Sequence, residues 1–249
     1  GVIFSMPHPL EVEVSEQLVR LIPCAEMVRF GKNGSDATTA ALRLARAHTG
    51  RDRVAVAGYH GWHDWYIGTT TRDLGVPEAV KALSETFIYN DADSLQILIE
   101  KDPGSFAAVI LEPIGNNPPE PGFLERIREI CDQYGIVLIF DEIICGFRVA
   151  LGGASEAYGV LPDLACFGKS MANGFPISAV VGRREIMRGM EEIFFSGTFS
   201  GETASLAAAA ATIDKLERHN IPTRLTNRGE VLRSALNKLF SKHGFGNIM

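Results

Sequence analysis

No apolar run in the sequence reaches the roughly 18–20 residues that a membrane span requires. Basic charge is not in excess either: 24 Lys and Arg against 30 Asp and Glu give a formal net charge of −6. That balance argues against nucleic acid as a partner and against a polybasic membrane contact. Cysteine is sparse. Cys24, Cys131, Cys145 and Cys166 form no C-x-x-C pair and sit among apolar residues. They read as small buried thiols of a reducing compartment, not as a disulfide framework or a zinc site. Gly1 to Leu10 has neither a basic start nor a long apolar stretch, so a signal peptide is not expected and a cytoplasmic location is.

What is present is ordinary globular composition, 249 residues with 46% hydrophobic and 22% charged, enough for one large core or a domain and a half. Short apolar runs at 54–57, 107–111, 136–140, 164–167 and 177–181 predict buried strands. Their continuity, without polar alternation, suits a parallel sheet covered on both faces. Helical patterns lie between and after them. The stretch 36–48 puts Ala37, Ala40, Ala41, Leu44, Ala45 and His48 on one face, with Gly50 as a stop. Further helices are expected at 122–134, at 202–219, which is Ala-rich and expected to be buried, and at 222–242, amphipathic and charged. This βα alternation predicts an α/β fold. Gly and Pro make 115–121 a loop. Both ends of the sequence are abrupt, so a piece of a longer protein is expected.

Five segments carry residues with chemistry. Asn33-Gly34-Ser35-Asp36-Ala37 opens a helix whose free N–H groups and dipole suit a phosphate, although a plain Ser N-cap has the same look. Ile136-Val137-Leu138-Ile139-Phe140-Asp141-Glu142 ends an apolar strand in two carboxylates, where open α/β sheets bind ligands; a helix cap or a salt bridge is the bland alternative. A metal-dependent nucleotide site would need G-x-x-x-x-G-K-[ST]. The near match Gly168-Lys169-Ser170 has Asp163 at the first glycine position and follows the acidic strand, so that reading is rejected. Asp163-Leu164-Ala165-Cys166-Phe167-Gly168-Lys169-Ser170 instead sets a lysine at the rim of the same sheet. A lysine in an apolar setting has a lowered pKa and can form Schiff bases; alone it would read as an ordinary solvated lysine. Tyr59-His60-Gly61-Trp62-His63-Asp64-Trp65-Tyr66 is an aromatic cluster able to stack on a planar ring or simply to pack; its spacing does not support a metal site. Ser196-Gly197-Thr198-Phe199-Ser200-Gly201 precedes a helix and suits phosphate or a turn. Together these supply what pyridoxal 5′-phosphate (PLP) needs: a phosphate cradle, a stacker, a carboxylate for the pyridinium proton and an amine.

The order of these motifs resembles the class III aminotransferases of PLP fold type I, nearest to their glutamate-1-semialdehyde 2,1-aminomutase branch, from about Gly1 to about His219. The resemblance rests on Val28-Arg29-Phe30 with Gly34-Ser35-Asp36-Ala37, on Leu42-Arg43-Leu44-Ala45-Arg46 with Thr49-Gly50-Arg51, and on Tyr59-His60-Gly61. Leu111-Glu112-Pro113, Phe140-Asp141-Glu142, Gly146-Phe147-Arg148, Pro162-Asp163-Leu164, Gly168-Lys169 and Gly197-Thr198 extend it. It implies a PLP fold type I large domain, with a mainly parallel seven-stranded-type sheet between helices. That domain would cover 1–215, incomplete at its N-terminal side, with 216–249 starting a truncated small domain. It implies catalytic roles for Lys169, Asp141 and Glu112. Lys169 would form the Schiff base and shuttle the substrate proton, Asp141 would keep the pyridine nitrogen protonated, and Glu112 would lie near the cofactor's phenolic oxygen. Asn33, Gly34 and Ser35 would hold the phosphate. Tyr59, in the Tyr59-His60 stacking segment, would cover one ring face and Ile143 the other. Thr198 would reach the phosphate of a neighbouring subunit, implying a homodimer.

The expected activity is aminotransfer from a small amino donor to a carbonyl acceptor. The aminomutase, which moves an amino group within one molecule, is the first alternative; a non-catalytic PLP-fold module is the second. Several departures bear on the substrate. The turn reads Lys32-Asn33-Gly34-Ser35-Asp36 where the aminomutase has Asn-Ser-Gly-Thr-Glu. Gly115-Asn116 is not followed by Met, the stretch from Arg184 to Gly197 is shorter, and Thr198 leads into Phe199-Ser200-Gly201-Glu202.

Overall fold

The computed structural model describes residues 6–246. Seven strands form one sheet: β1 (Met27–Gly31), β2 (Arg53–Ala57), β3 (Ser84–Thr86), β4 (Phe106–Leu111), β5 (Val137–Asp141), β6 (Leu164–Phe167) and β7 (Ser178–Gly182). Their spatial order is β1-β7-β6-β5-β4-β2-β3. The helices are α1 (Pro9–Leu21), α2 (Gly34–Thr49), α3 (Asp64–Ile67), α4 (Glu78–Lys81), α5 (Ala92–Glu100), α6 (Phe123–Tyr134), α7 (Gly153–Tyr158), α8 (Arg184–Met187), α9 (Thr203–Arg218) and α10 (Ile221–Lys242).

The apolar runs are continuous because both faces of the sheet are covered. Val54, Val56, Ala108, Ile110, Val137 and Ile139 face one way, into a core shared with Ala37, Ala41, Leu44 and Ala45 of α2. The alternate residues, Ala55, Ala57, Val109, Leu111, Leu138 and Phe140, enter a second core with side chains of α1, α5, α6 and α9. Full burial of a phenylalanine such as Phe106 or Phe140 is worth about 1.5–3 kcal/mol.

Strands β2 to β6 run parallel, and β7 runs against β6. The run at 177–181 is therefore a strand of opposite sense to its neighbours. The physical reason is the connection 168–177, which holds one short 3₁₀ turn at Lys169–Met171; a parallel return needs a crossover of a dozen or more residues, usually with a helix. Strand β1 pairs antiparallel with β7 and so points the same way as β6. The carboxyl ends of β1, β2, β4, β5 and β6 thus gather at one edge of the sheet, beside the start of β7.

Three expectations change in detail. His48 is exposed on α2 and is not part of its buried face. Helix α9 is not buried all round: Leu206, Ala209, Ala210 and Ile213 are in the core, whereas Ala204, Ala207 and Ala211 are exposed. Helix α10 buries only Pro222, so its apolar residues Leu225, Val231, Leu232 and Leu239 stand exposed. Among the described residues, no helix is long and apolar enough to cross a membrane.

Candidate functional site

The sheet edge opens into a cleft of about 380 Å³, bordered by Asn33, Gly34, Tyr59, Glu112, Asp141 and Lys169 among others. They arrive from five strand ends, with Asn33 and Gly34 both following β1. After β1, the chain turns through Lys32 and Asn33 into α2. Asp36, one turn into that helix, accepts hydrogen bonds from the backbone N–H groups of Lys32 (3.0 Å) and Asn33 (2.8 Å). The turn is thereby closed from behind, while the first N–H groups of a sixteen-residue helix have no intrahelical partner. Ser35 is buried, and its Oγ accepts from Trp62 N at 3.3 Å. Gly61 makes this approach feasible: it has φ 101°, and a Cβ there would overlap Ser35 Oγ. Thr38 Oγ1 donates to His60 O at 3.0 Å, so α2 and the segment after β2 are locked together.

Asp141 closes β5 with its carboxylate only 4% exposed. Its Oδ1 accepts from Ile143 N at 3.1 Å, and its Oδ2 lies 2.9 Å from His60 Nδ1. With a carboxylate as partner, the imidazole proton sits on Nδ1 and donates. His60 is itself buried, stacked on Trp65 at 6.2 Å between ring centres and edge-on to Tyr66. Its Nε2 is buried with no hydrogen-bond partner. The neighbouring carboxylate, Glu142, turns the opposite way. It accepts from Cys145 Sγ (2.9 Å), Ala154 N (2.8 Å) and Ser155 N (3.3 Å), capping the start of α7, and its burial pushes its pKa up. The two roles weighed for the acidic strand end are thus divided: Asp141 faces the cleft and Glu142 is a helix cap.

Glu112 follows β4 and accepts from Tyr59 N through Oε2 at 2.9 Å. Tyr59 is 56% exposed, with its ring edge-on to Tyr66 at 5.6 Å. Burial, more than the nearby Glu112, raises the pKa of the Tyr66 phenol. Ile143 lies between two turns: a Cβ on Gly34 would sit 3.3 Å from its side chain and one on Gly168 3.1 Å. Lys169, at φ 35°, follows Gly168 and is exposed on the cleft. The apolar enclosure expected for it is absent, because the lysine stands beyond the end of buried β6.

Thr198 lies apart from these residues. It borders a second groove, of about 860 Å³, between α1, β1 and the loop before α9. In the aromatic segment, His63 is engaged through Nδ1 with Thr39 Oγ1 at 2.7 Å, and that hydroxyl accepts from Trp65 Nε1. Among the described residues, no three His, Cys, Asp or Glu side chains are brought together as metal ligands. The sequence reading missed the partnership of His60 with Asp141, 81 residues apart, because nothing local announces it. It also did not place Lys32 or the Phe175–Ile177 wall in the cleft; for Lys32, its position next to Asn33 was the available signal.

The sequence model of the family described as aminotransferase class-III matches residues 3–248. The chain belongs to the class III aminotransferases. Among curated members, the 3-aminobutyryl-CoA aminotransferase of Cloacimonas acidaminovorans is 41% identical over 98% of this chain and 60% of its own length. A glutamate-1-semialdehyde 2,1-aminomutase of Pelodictyon phaeoclathratiforme is 39% identical over 100% of this chain and 62% of its own. This class III chain therefore spans about three-fifths of these relatives. The fold agrees with solved members: an omega-transaminase from Sphaerobacter thermophilus (TM-score 0.89, 34% identity, 98% of this chain and 61% of that one). The FumI protein of Sphingopyxis sp. MTA144, solved in its PLP internal aldimine form, gives a TM-score of 0.91 at 32% identity, over 98% of this chain and 61% of that one.

Proposed function

We propose that the chain is the cofactor-binding part of a PLP-dependent aminotransferase acting on a small amino donor and a carbonyl acceptor. The observation that carries this is the cleft at the sheet edge. It joins a helix N-terminus, an exposed aromatic ring, a buried carboxylate and a free-standing lysine within one cavity. The fit to PLP rests on the same geometry. Gly34 and Gly61 let Ile143 and Ser35 pack closely against the turn, whose helix N-terminus presents backbone N–H groups to a phosphate, and the Asp141 carboxylate keeps acceptor capacity beyond its two hydrogen bonds.

When bound, PLP supplies an electron sink for the substrate carbon. Each residue then has a role. Lys169 Nζ is the amine that would hold the cofactor, and as a free base it would take a proton from one carbon and return it to another. Asp141, oriented by its hydrogen bonds with His60 Nδ1 and Ile143 N, would pair with a protonated pyridine nitrogen. Tyr59 covers one ring face and Ile143 the other. Asn33, Gly34 and Ser35 hold the phosphate. Glu112 stands beside Tyr59 to accept from the substrate amine.

We assign Thr198 to the phosphate site of a second subunit, in a homodimer; its exposure and its place on a groove other than the cleft of its own chain support this. Helix α9 runs through 215–216, so the division between large and small domains falls best at Asn220, a left-handed residue (φ 46°) between α9 and α10. The uncovered apolar side chains of α10 support a small domain beyond it. The four free cysteines, all buried, support a reducing, cytoplasmic setting. The aminomutase is the second reading, favoured by the 39% identity to that enzyme; dependence on an external amino donor separates the two, since a mutase needs none.

The first test is the visible absorption spectrum of the protein with added PLP, before and after Lys169→Ala. A band present in the wild type and lost in the variant supports the reading. A wild-type protein of full length that develops no band overturns it.

A further inference from the structure

The loop bearing Thr198 is far in sequence from the phosphate turn, yet cations around that turn hold it. Arg43 on α2 donates through Nη1 to Phe194 O at 2.6 Å. Arg29 on β1 donates through Nη2 to Phe195 O at 3.2 Å, and its guanidinium lies 5.9 Å from the Phe195 ring centre. Lys32, the residue before Asn33, pairs through Nζ with Glu202 Oε2 at 3.2 Å. Glu202 in turn caps α9, accepting from Ala204 N and from Ser205 N and Oγ. The loop 194–202 is thus fastened at both ends, and its tip closes on itself through Ser200 N to Gly197 O and Glu202 N to Phe199 O. The anchors are unequal. Both hydrogen bonds of the arginines are exposed, where solvent weakens them. The Lys32 and Glu202 side chains are only 17% and 24% exposed, so their attraction is less screened.

We propose that Lys32 is a positioning residue: its ion pair with Glu202 braces the Thr198 loop against the phosphate turn of the same chain. In a dimer, the turn that holds one subunit's phosphate therefore supports the loop lent to the other subunit. This rests on the assignment of Thr198 across the interface. Lys32 also borders its own cleft, so a direct contact with its own phosphate is the rival explanation of any effect.

Mixed dimers of the full-length protein separate the two. In the first, one subunit carries Lys32→Met with Lys169→Ala and the other is wild type; the competent site has an intact turn but borrows Thr198 from the altered subunit. In the second, Lys32→Met is on one subunit and Lys169→Ala on its partner; the competent site has the altered turn but borrows an intact loop. PLP and phosphate-free pyridoxal are titrated by the visible band. The first dimer should bind PLP roughly fivefold more weakly, the scale of a partly screened ion pair, with pyridoxal binding unchanged and Lys32→Arg restoring PLP. The second should bind PLP like the control. Weakening confined to the second dimer overturns the proposal in favour of direct contact, and weakening in neither overturns it outright. In cofactor-free protein, Lys32→Met should also speed hydrogen exchange at the Ser200 and Glu202 amides; unchanged exchange counts against the brace. A wild-type protein without a band, or a monomer, shows instead that the underlying cofactor or dimer reading has failed.

Discussion

At the residue scale, the decisive arrangement is two neighbouring carboxylates with opposite tasks. Asp141 is held by His60 Nδ1 and Ile143 N. Removing the histidine donor with His60→Leu should weaken PLP binding by about tenfold, the scale of a hydrogen bond to a charged group. His60→Asn, which keeps a donor, should lose less; titration of the visible band checks both. Glu142 is buried and titrates above its ordinary 4.5. Between that value and its raised folded value, the native state binds more protons than the unfolded one. Its contribution to stability is therefore greatest at low pH and falls as pH rises through the folded pKa. Denaturant midpoints from pH 4.5 to 7 should carry this slope in the wild type and lose it in Glu142→Gln. The two carboxylates were visible in sequence as the end of an apolar run. Which of them faces the cleft depended on where residues 60 and 154 fold back.

At the element scale, helix termini do the local work. Glu202 caps α9, and its pKa is held down to about 2, chiefly by the Ser205 hydroxyl and then by Ala204 N and Lys32. A lowered carboxylate pKa gives stability that is complete above 4.5 and is lost as pH falls toward 2. Glu202→Ala should destabilise by about 1 kcal/mol at neutral pH, as loss of a cap does, and should flatten acid unfolding over that window. In the segment after β2, Gly61→Ala should cost more than about 1 kcal/mol, from positive φ and the overlap with Ser35. It should weaken phosphate-bearing PLP more than pyridoxal. Chemical denaturation and paired titrations measure these effects. Strands and long helices were legible because burial on both sheet faces writes unbroken apolar runs, and because Gly50 and Gly135 mark helix ends at positive φ. Strand β1 was not legible: it is an edge strand with only Phe30 and Gly31 buried. The three-residue β3 was too short to show a pattern.

At the scale of the whole molecule, α10 separates what this chain stabilises from what it leaves uncovered. Leu225, Val231 and Leu232 are exposed, so Glu substitutions there should change the stability of this chain by no more than about 0.5 kcal/mol. In a full-length protein whose small domain packs on α10, the same substitutions should destabilise. Thermal melts of both lengths decide between a covered and a free helix.

The sequence by itself determined the α/β alternation, the buried strands, the helix-opening turn at Asn33-Gly34-Ser35 and the lysine after β6. All of these are written in contiguous residues, where periodicity, caps and punctuation act over a few positions. Only the tertiary structure decided the reversal of β7, the pairing of His60 with Asp141, the bond from Tyr59 N to Glu112 across 53 residues and the ion pair of Lys32 with Glu202 across 170. Those contacts exist because a sheet collects distant strand ends at one edge. Hydrogen bonds and ion pairs act over a few ångströms of space and leave no trace in the spacing of the chain.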